Sequence, residues 1–170
     1  MKKIYLTILF IVILSSCSGD KKEISIIQEK EINLQMIEAY NLGMKALEEG
    51  DGLSAAQKFN EAELIFPQSE WASKSSLMSA YSYYKDSYYG DAINELERFI
   101  DVYSKNKNIA YAHYLLGMCY YESIIDEKKD LGPLNKSKKQ FEYLLKNYPN
   151  TDYAADAKFK LDMIQEILAS

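Results

Sequence analysis

From Ile32 to about Leu168, apolar residues recur along the chain at the spacing of helix faces. The first set falls at positions i, i+3, i+7 and i+10 of one face: Ile37, Tyr40, Met44 and Leu47. Such spacing is typical of an amphipathic α-helix, because 3.6 residues complete each turn. Similar sets follow, separated by short polar or Gly/Pro stretches. The pattern predicts an all-α protein with seven helices, the last of them at 152–168.

A seven-residue sequence separates two pairs of these helices. Phe66–Ala72 and Tyr148–Ala154 both read aromatic, Pro, polar, hydroxyl, acid, aromatic, Ala. Proline cannot continue a preceding helix. Ser69 and Thr151 are suited to the N-cap position, and the acid after each complements the helix dipole. Each copy therefore predicts the end of one helix and the start of the next, and the repetition indicates internal repeats.

Small residues reveal the repeat period. Gly43, Ala80 and Gly117 are separated by two steps of 37 residues. Ala55 and Ala92 show the same step, whereas Ser137 follows 45 residues later. The eight additional residues fall within 125–133, which we interpret as one inserted loop.

The pattern of small and large residues resembles the tetratricopeptide repeat (TPR). In this repeat, small residues lie where two helices touch, and a large residue fills the remaining gap. The resemblance implies a right-handed solenoid of TPR helical hairpins with about three and a half repeats. We place the repeats at about 32–68, 69–107 and 108–150, followed by a lone helix at 152–168.

The N-terminus is typical of a lipoprotein precursor. Two lysines precede a short apolar run, Ile4–Leu14, which predicts a signal peptide over residues 1–16. Leu14-Ser15-Ser16-Cys17 resembles a lipobox, in which the cysteine carries acyl chains such as palmitate. The alternative is an ordinary signal peptide with an incidental cysteine. Ser18, instead of aspartate, favours the outer membrane over the inner membrane.

Residues 17–31 are interpreted as the lipidated N-terminus and a flexible polar tether. Removal of residues 1–16 leaves eighteen basic against twenty-five acidic residues, a net charge of −7. An acidic chain without a basic cluster is poorly suited to nucleic acid.

Catalytic motifs are missing from the sequence. It contains no phosphate-binding glycine loop after a strand, no nucleophile elbow and no His-Glu-x-x-His. The single histidine, His113, cannot form a usual zinc site, so packing or a side-chain hydrogen bond is favoured. Cys119 is expected to be a small buried residue. We therefore expect no enzymatic activity, no cofactor and no metal.

Fifteen tyrosines distinguish the composition. Packing within the solenoid explains Tyr83 and Tyr120. The TPR register places other residues on a concave groove suited to an extended peptide with aromatic side chains and a carboxylate. The predicted peptide-binding residues are Tyr40, Met44, Leu77, Tyr81, Tyr84, Lys85, Tyr111, Tyr114, Met118 and Tyr121.

Residues 14–168 closely resemble the BamD family, the lipoprotein subunits of the outer-membrane β-barrel assembly (BAM) complex. The lipobox, the tether and the interrupted third repeat contribute to this resemblance. So do five sequence segments: 66–72, 77–85, 95–100, 114–117 and 156–161.

The resemblance implies a periplasmic adaptor anchored to the outer membrane through its lipid. Its implied partners are unfolded β-barrel precursors, recognised through their C-terminal signal, and BamA with the other BAM subunits. The family usually has five repeats and docks on BamA through the last ones. Because this sequence stops within the fourth repeat, we expect that docking surface to be absent.

Two alternatives remain open from the sequence. One is a periplasmic TPR scaffold linked to the Tol system or to cell-wall synthesis, although such proteins usually lack a lipobox. The other is a cell-wall or lipid-modifying enzyme, against which the lack of paired catalytic groups argues.

Overall fold

The structure is a computed structural model that describes residues 21–124 and 131–169. Within these ranges the chain forms seven helices and no strand, as predicted. Their bounds are α1 Lys21–Glu48, α2 Gly52–Ile65, α3 Glu70–Lys85, α4 Tyr89–Val102, α5 Ile109–Glu122, α6 Gly132–Asn147 and α7 Asp152–Ala169. Among the described residues, those from Lys21 to Leu34 belong to one compact unit, and those from Gln35 onwards belong to the unit that contains the repeats.

The N-terminal end of α1 differs from the sequence interpretation. The helix begins at Lys21, whereas the hydrophobic pattern predicts it from Ile32. Residues 21–31, expected to form part of a tether, are therefore helical. The chain has no Gly or Pro between Lys21 and Leu42, and Lys, Glu, Gln and Leu are strong helix formers. Local propensity thus extends the helix beyond its hydrophobic pattern.

Several sequence predictions lie outside the described residues, namely the signal peptide, Cys17 and the central part of the inserted loop, 125–130. After this loop, α6 begins at Gly132, with Pro133 in its first turn, where proline is favoured. The described helices include none with the length and apolar character needed to cross a bilayer.

The predicted close approaches between paired helices are present. A Cβ atom on Gly43 would lie 2.9 Å from the Phe59 ring, and one on Gly117 would lie 2.6 Å from the Phe141 ring. Ala80, the equivalent residue of the second repeat, is fully buried in a cluster that also contains Leu96. Each hairpin is therefore closed by a small residue in its first helix and a large one in its second.

From α2 to α7, consecutive helices pack against one another along the chain. First helices of neighbouring repeats also touch, since α3 contacts α5 and α5 contacts α7. This arrangement is typical of a helical-hairpin solenoid, in which each repeat is stabilised by its neighbours. The structure therefore confirms the predicted all-α fold.

The repeated seven-residue sequence joins helices in the same way at both junctions. Ser69 Oγ donates to the Phe66 carbonyl at 2.8 Å and accepts the Ala72 N–H at 3.2 Å, so it caps α3 as predicted. Thr151 Oγ1 makes the equivalent 2.9 Å bond to the Tyr148 carbonyl. The hydroxyl thus fixes the turn after the aromatic residue and the proline.

The turns within the first two hairpins share an unusual backbone position. Gly50 has φ +82°, and Ser87, which lies 37 residues later, has φ +61°. The second turn also supports the first repeat, because Asp86 Oδ2 accepts the Gly52 N–H at 2.8 Å. Asp86 therefore binds the start of α2 from the end of α3, across the boundary between repeats.

A polar network also connects the first two repeats. The Arg98 guanidinium binds both oxygens of Glu63, at 2.8 and 2.6 Å, and also contacts Glu95 and Ser76. Tyr103 donates a 2.7 Å hydrogen bond to the same Glu63 carboxylate. Because Glu63 is only 7% exposed, these bonds satisfy a charge that would otherwise be buried without a partner.

Candidate peptide-binding groove

An open hollow of about 460 Å³ lies between the first helices of the second, third and fourth repeats. We call it the tyrosine hollow. It is lined by Lys74, Leu77, Met78, Tyr81, Asn108, Tyr111 and Tyr153. Three phenol rings and two aliphatic or thioether side chains give it large apolar surfaces with polar tips, a composition suited to amphipathic segments.

A second hollow of about 770 Å³ adjoins the first, because both include Lys74 and Asn108. We call it the lysine hollow. Its remaining lining residues are Glu70, Trp71, Ser73, Lys105, Asn106 and Lys107. Three lysines against one glutamate make this surface locally basic, although the chain carries a formal net charge of −5. The two hollows together offer adjacent apolar and cationic surfaces.

The shared residues Lys74 and Asn108 differ in their local contacts. Lys74 Nζ lies 4.6 Å from the Trp71 ring centroid and 4.8 Å from that of Tyr40, so cation–π attraction helps to position it. Asn108 is the N-cap of α5, but its side chain makes no capping hydrogen bond. Its amide group therefore remains available to a ligand at the boundary between the hollows.

Tyr153 joins α7 to the groove. Its ring lies 5.1 Å from that of Tyr111 and stacks at 5.3 Å on that of Tyr114. Tyr114 also donates a 2.6 Å hydrogen bond to Asp156. Burial raises the pKa of both Tyr111 and Tyr114 well above the ordinary value, and for Tyr114 the Asp156 carboxylate adds to the effect. Both phenols are therefore neutral donors at physiological pH.

The structure brings three of the predicted groove residues together in the tyrosine hollow: Leu77, Tyr81 and Tyr111. Two others lie within hydrophobic cores. Tyr40 is 6% exposed and contacts both Phe59 and Trp71 edge-on at 5.1 Å. Met118 is 8% exposed and belongs to the core of the third repeat. The register placed Tyr40 and Met118 on the first helices correctly, but neighbouring side chains cover both.

The other five predicted residues lie outside the lining of both hollows. Met44 packs against the first-repeat core. Tyr84 contacts the Tyr89 ring at 6.0 Å, and Tyr114 is engaged with Tyr153 as described above. Lys160 lies over the ring of Tyr121 at 4.7 Å. Lys85 is exposed in the last turn of α3 and lines neither hollow, whereas Lys74 of the same helix lines both.

Sequence reasoning did not include Trp71, Asn108 and Tyr153 among the groove residues. These three residues occupy one repeat position, since they are separated by 37 and 45 residues, the same two steps that relate Ala55, Ala92 and Ser137. Trp71 and Tyr153 are also the second aromatic residues of the repeated seven-residue sequence. The signal was therefore available, but that sequence was interpreted only as a helix junction.

The histidine and the cysteine singled out in the sequence line neither hollow. Over the described ranges, no group of three or more His, Cys, Asp or Glu side chains is placed to hold a metal ion. His113 packs on Tyr143 at 4.3 Å, and its Nδ1 lies 2.8 Å from Gln140 Oε1. Cys119 is buried and free, as predicted.

Fold and groove together define a helical-repeat protein of the TPR class. Solved structures of this class superimpose on the chain. The first TPR domain of Spaghetti (RPAP3), bound to an HSP90 peptide, gives a TM-score of 0.61 at 18% identity, covering 81% of this chain and 96% of that domain. The second TPR domain of human RPAP3, in complex with an HSP70 peptide, gives 0.60 at 19% identity, covering 79% and 98%.

The chain belongs to the YfiO family, described as outer membrane lipoproteins, whose model matches residues 33–170. It is 34% identical over 156 residues to the outer membrane protein assembly factor BamD of Caulobacter vibrioides, covering 91% of this chain and 50% of that protein. BamD of Rickettsia prowazekii is 35% identical over 130 residues, covering 76% and 52%. The chain therefore spans about half the length of these two relatives.

Proposed function

We propose that this protein is a lipid-anchored adaptor on the periplasmic face of the outer membrane, where it assists β-barrel assembly. In this role it binds unfolded outer-membrane protein precursors and delivers them to BamA and the other BAM subunits. It acts by binding and not by catalysis. Membership of the YfiO family and similarity to assembly factors named BamD support this role.

The observation that carries the proposal is the junction of the tyrosine and lysine hollows at Lys74 and Asn108. An unfolded β-barrel segment is extended, alternates apolar and polar side chains, and at its end carries a free carboxylate. The rings of Tyr81, Tyr111 and Tyr153 can accept the apolar side chains. Lys74 and the neighbouring lysines can accept negative charge, and Asn108 can bind the peptide backbone.

Fluorescence anisotropy with a labelled C-terminal peptide of an outer-membrane β-barrel protein tests the groove. Tyr81→Ala is expected to weaken binding by about thirtyfold, the effect of removing an anchor worth about 2 kcal/mol. Tyr88→Ala is the matched control, because Tyr88 is 44% exposed and lines neither hollow. Equal affinities for the two variants, both with the wild-type melting temperature, would exclude this site.

A second matched pair tests which lysine interacts with the peptide. Lys74 and Lys85 both lie on α3, but only Lys74 lines the hollows. Lys74→Ala is expected to lower the affinity for the peptide. It should also make that affinity less sensitive to salt concentration, because a charge contact is lost. Lys85→Ala is expected to leave both unchanged. If only Lys85→Ala lowers the affinity, Lys85 and not Lys74 is the lysine that contacts the peptide.

Anchoring is tested separately. Cys17→Ala is expected to abolish palmitate incorporation and to release the protein from the outer membrane, with the repeat fold intact. Unchanged metabolic labelling with palmitate in this variant would contradict lipidation at Cys17.

A further inference from the structure

A separate hollow of about 400 Å³ lies between α4, α5 and α6. Its lining includes Glu97, Ile100, Asp101, His113, Leu116 and Gln140. On α5, His113 follows Tyr111 by two residues, which rotates it by about 200° around the helix axis. The hollow shares no lining residue with the tyrosine or lysine hollows. It is therefore a second concave surface on another side of α5.

The rim of this hollow carries two carboxylates, Glu97 and Asp101, that form no ion pair among the described residues. Glu97 and Asp101 are four residues apart on α4, so they occupy the same helix face and repel each other. Within residues 21–124 and 131–169, neither forms an ion pair with a lysine or arginine. Glu97 accepts only a neutral hydrogen bond, from Tyr120 at 2.6 Å. This negative charge therefore favours a cation from outside the chain.

His113 adds a third acceptor and is only 8% exposed. A carboxamide oxygen can only accept, so the 2.8 Å contact with Gln140 Oε1 places the proton on His113 Nδ1. Burial lowers the pKa of His113, so the ring is neutral at physiological pH and Nε2 has an open lone pair. No hydrogen-bond partner for Nε2 is present among the described residues. The hollow therefore combines an imidazole nitrogen with a free lone pair and two carboxylates.

The remaining surface of the hollow restricts the kind of cation. Ile100 and Leu116 contribute apolar side chains, which suit a methylene stem. A planar guanidinium has five N–H donors, whereas an ammonium group is a compact point charge. We propose that this hollow binds an arginine side chain of a partner polypeptide. Its guanidinium is shared between Asp101, Glu97 and His113 Nε2, and its stem lies on Ile100 and Leu116.

The sequence supplies a sensitive test, because His113 is the only histidine and Trp71 the only tryptophan. The full chain in detergent micelles is titrated with acetyl-Gly-Arg-Gly-amide and followed by NMR. The His113 imidazole signals are expected to shift in a saturable manner, whereas the Trp71 indole signal stays in place. The peptide with citrulline instead of arginine has nearly the same shape but no charge, and is expected to produce no shift.

Two variants on α4 complete the test. Asp101→Asn is expected to weaken the arginine peptide about tenfold, the equivalent of one charge-assisted contact. Asp91→Asn, an exposed carboxylate in the first turn of the same helix, is expected to leave the affinity unchanged. The proposal is overturned if His113 does not shift, if citrulline binds equally, or if the two variants behave alike. Equal binding of acetyl-Gly-Lys-Gly-amide would overturn the assignment to arginine.

Discussion

The Phe59 ring lies so close to the backbone of Gly43 that a methyl group there would come within 2.9 Å of two of its carbon atoms. The third repeat has the same relationship between Gly117 and Phe141. In the second repeat the corresponding residues are Ala80 and Leu96, both fully buried. A smaller residue in the second helix thus accompanies a larger one in the first, which keeps the helix spacing similar.

Gly43→Ala is therefore expected to destabilise the protein by about 1–3 kcal/mol through overpacking. Phe59→Leu should relieve the clash, because it reproduces the Ala80 and Leu96 combination. In a double-mutant cycle measured by urea denaturation, the pair should be more stable than the sum of the single changes predicts, by about 1 kcal/mol. Simple additivity would contradict the proposed volume exchange.

The sequence predicted this contact because small residues recur at a fixed period. That period can be recognised in the sequence without knowing which side chains the small residues contact. The Arg98 network was not predicted. Its members are distributed over two repeats, and their positions show no shared period. Which carboxylate an arginine reaches depends on the orientation of packed helices, a tertiary property that composition and spacing do not encode.

The Arg98 network should contribute to stability more than the exposed ion pairs do. Arg98→Met leaves the Glu63 carboxylate buried without its bidentate partner. Loss of a fully buried pair costs about 3–5 kcal/mol, and the 40% exposure of the Arg98 side chain reduces the expected loss to about 2–3 kcal/mol. Lys58→Met, which breaks the exposed pair with Glu61, is the control and should cost under about 1 kcal/mol. If Arg98→Met and Lys58→Met lower the stability by similar amounts in thermal unfolding, the network contributes no more than an exposed ion pair.

Replacement of Ser87 by glycine should stabilise the protein. Its φ of +61° is a left-handed conformation that costs a non-glycine residue about 1–2 kcal/mol. Ser87→Gly is expected to raise the free energy of unfolding by about 0.5–1 kcal/mol, since glycine also has more entropy to lose on folding. Ser104→Gly, in an exposed turn without positive φ, should instead be neutral or destabilising. A loss of stability in Ser87→Gly would contradict the strain argument.

Stability should fall above pH 9. Burial raises the pKa of Cys119 from 9.0 to about 12, and burial with the Glu63 hydrogen bond raises the pKa of Tyr103 from 10.0 to about 12. The unfolded chain therefore loses these protons first, so their contribution is complete below pH 9 and is lost by about pH 12. Urea denaturation between pH 8 and 12 measures this fall. Cys119→Ala should reduce its early part, between pH 9 and 10; an unchanged profile would contradict the assignment to Cys119.

The groove was predicted less completely than the fold. The repeat register identifies which helix a residue lies on and its approximate direction, and Tyr81 and Tyr111 do line the tyrosine hollow. It does not show whether a larger neighbour covers the same place. Trp71 packs on Tyr40, and Met118 belongs to the third-repeat core, so Tyr40 and Met118 are covered and line neither hollow.

The hydrogen bond that the Gly52 N–H donates to Asp86 affects the order in which the repeats become stable during synthesis. Its two residues are 34 positions apart, and the acceptor comes later. As the polypeptide emerges from its N-terminus, the first hairpin is complete before Asp86 is available. The start of α2 therefore lacks this partner until α3 has formed. The first hairpin should reach full protection from hydrogen exchange only after the second has begun to fold.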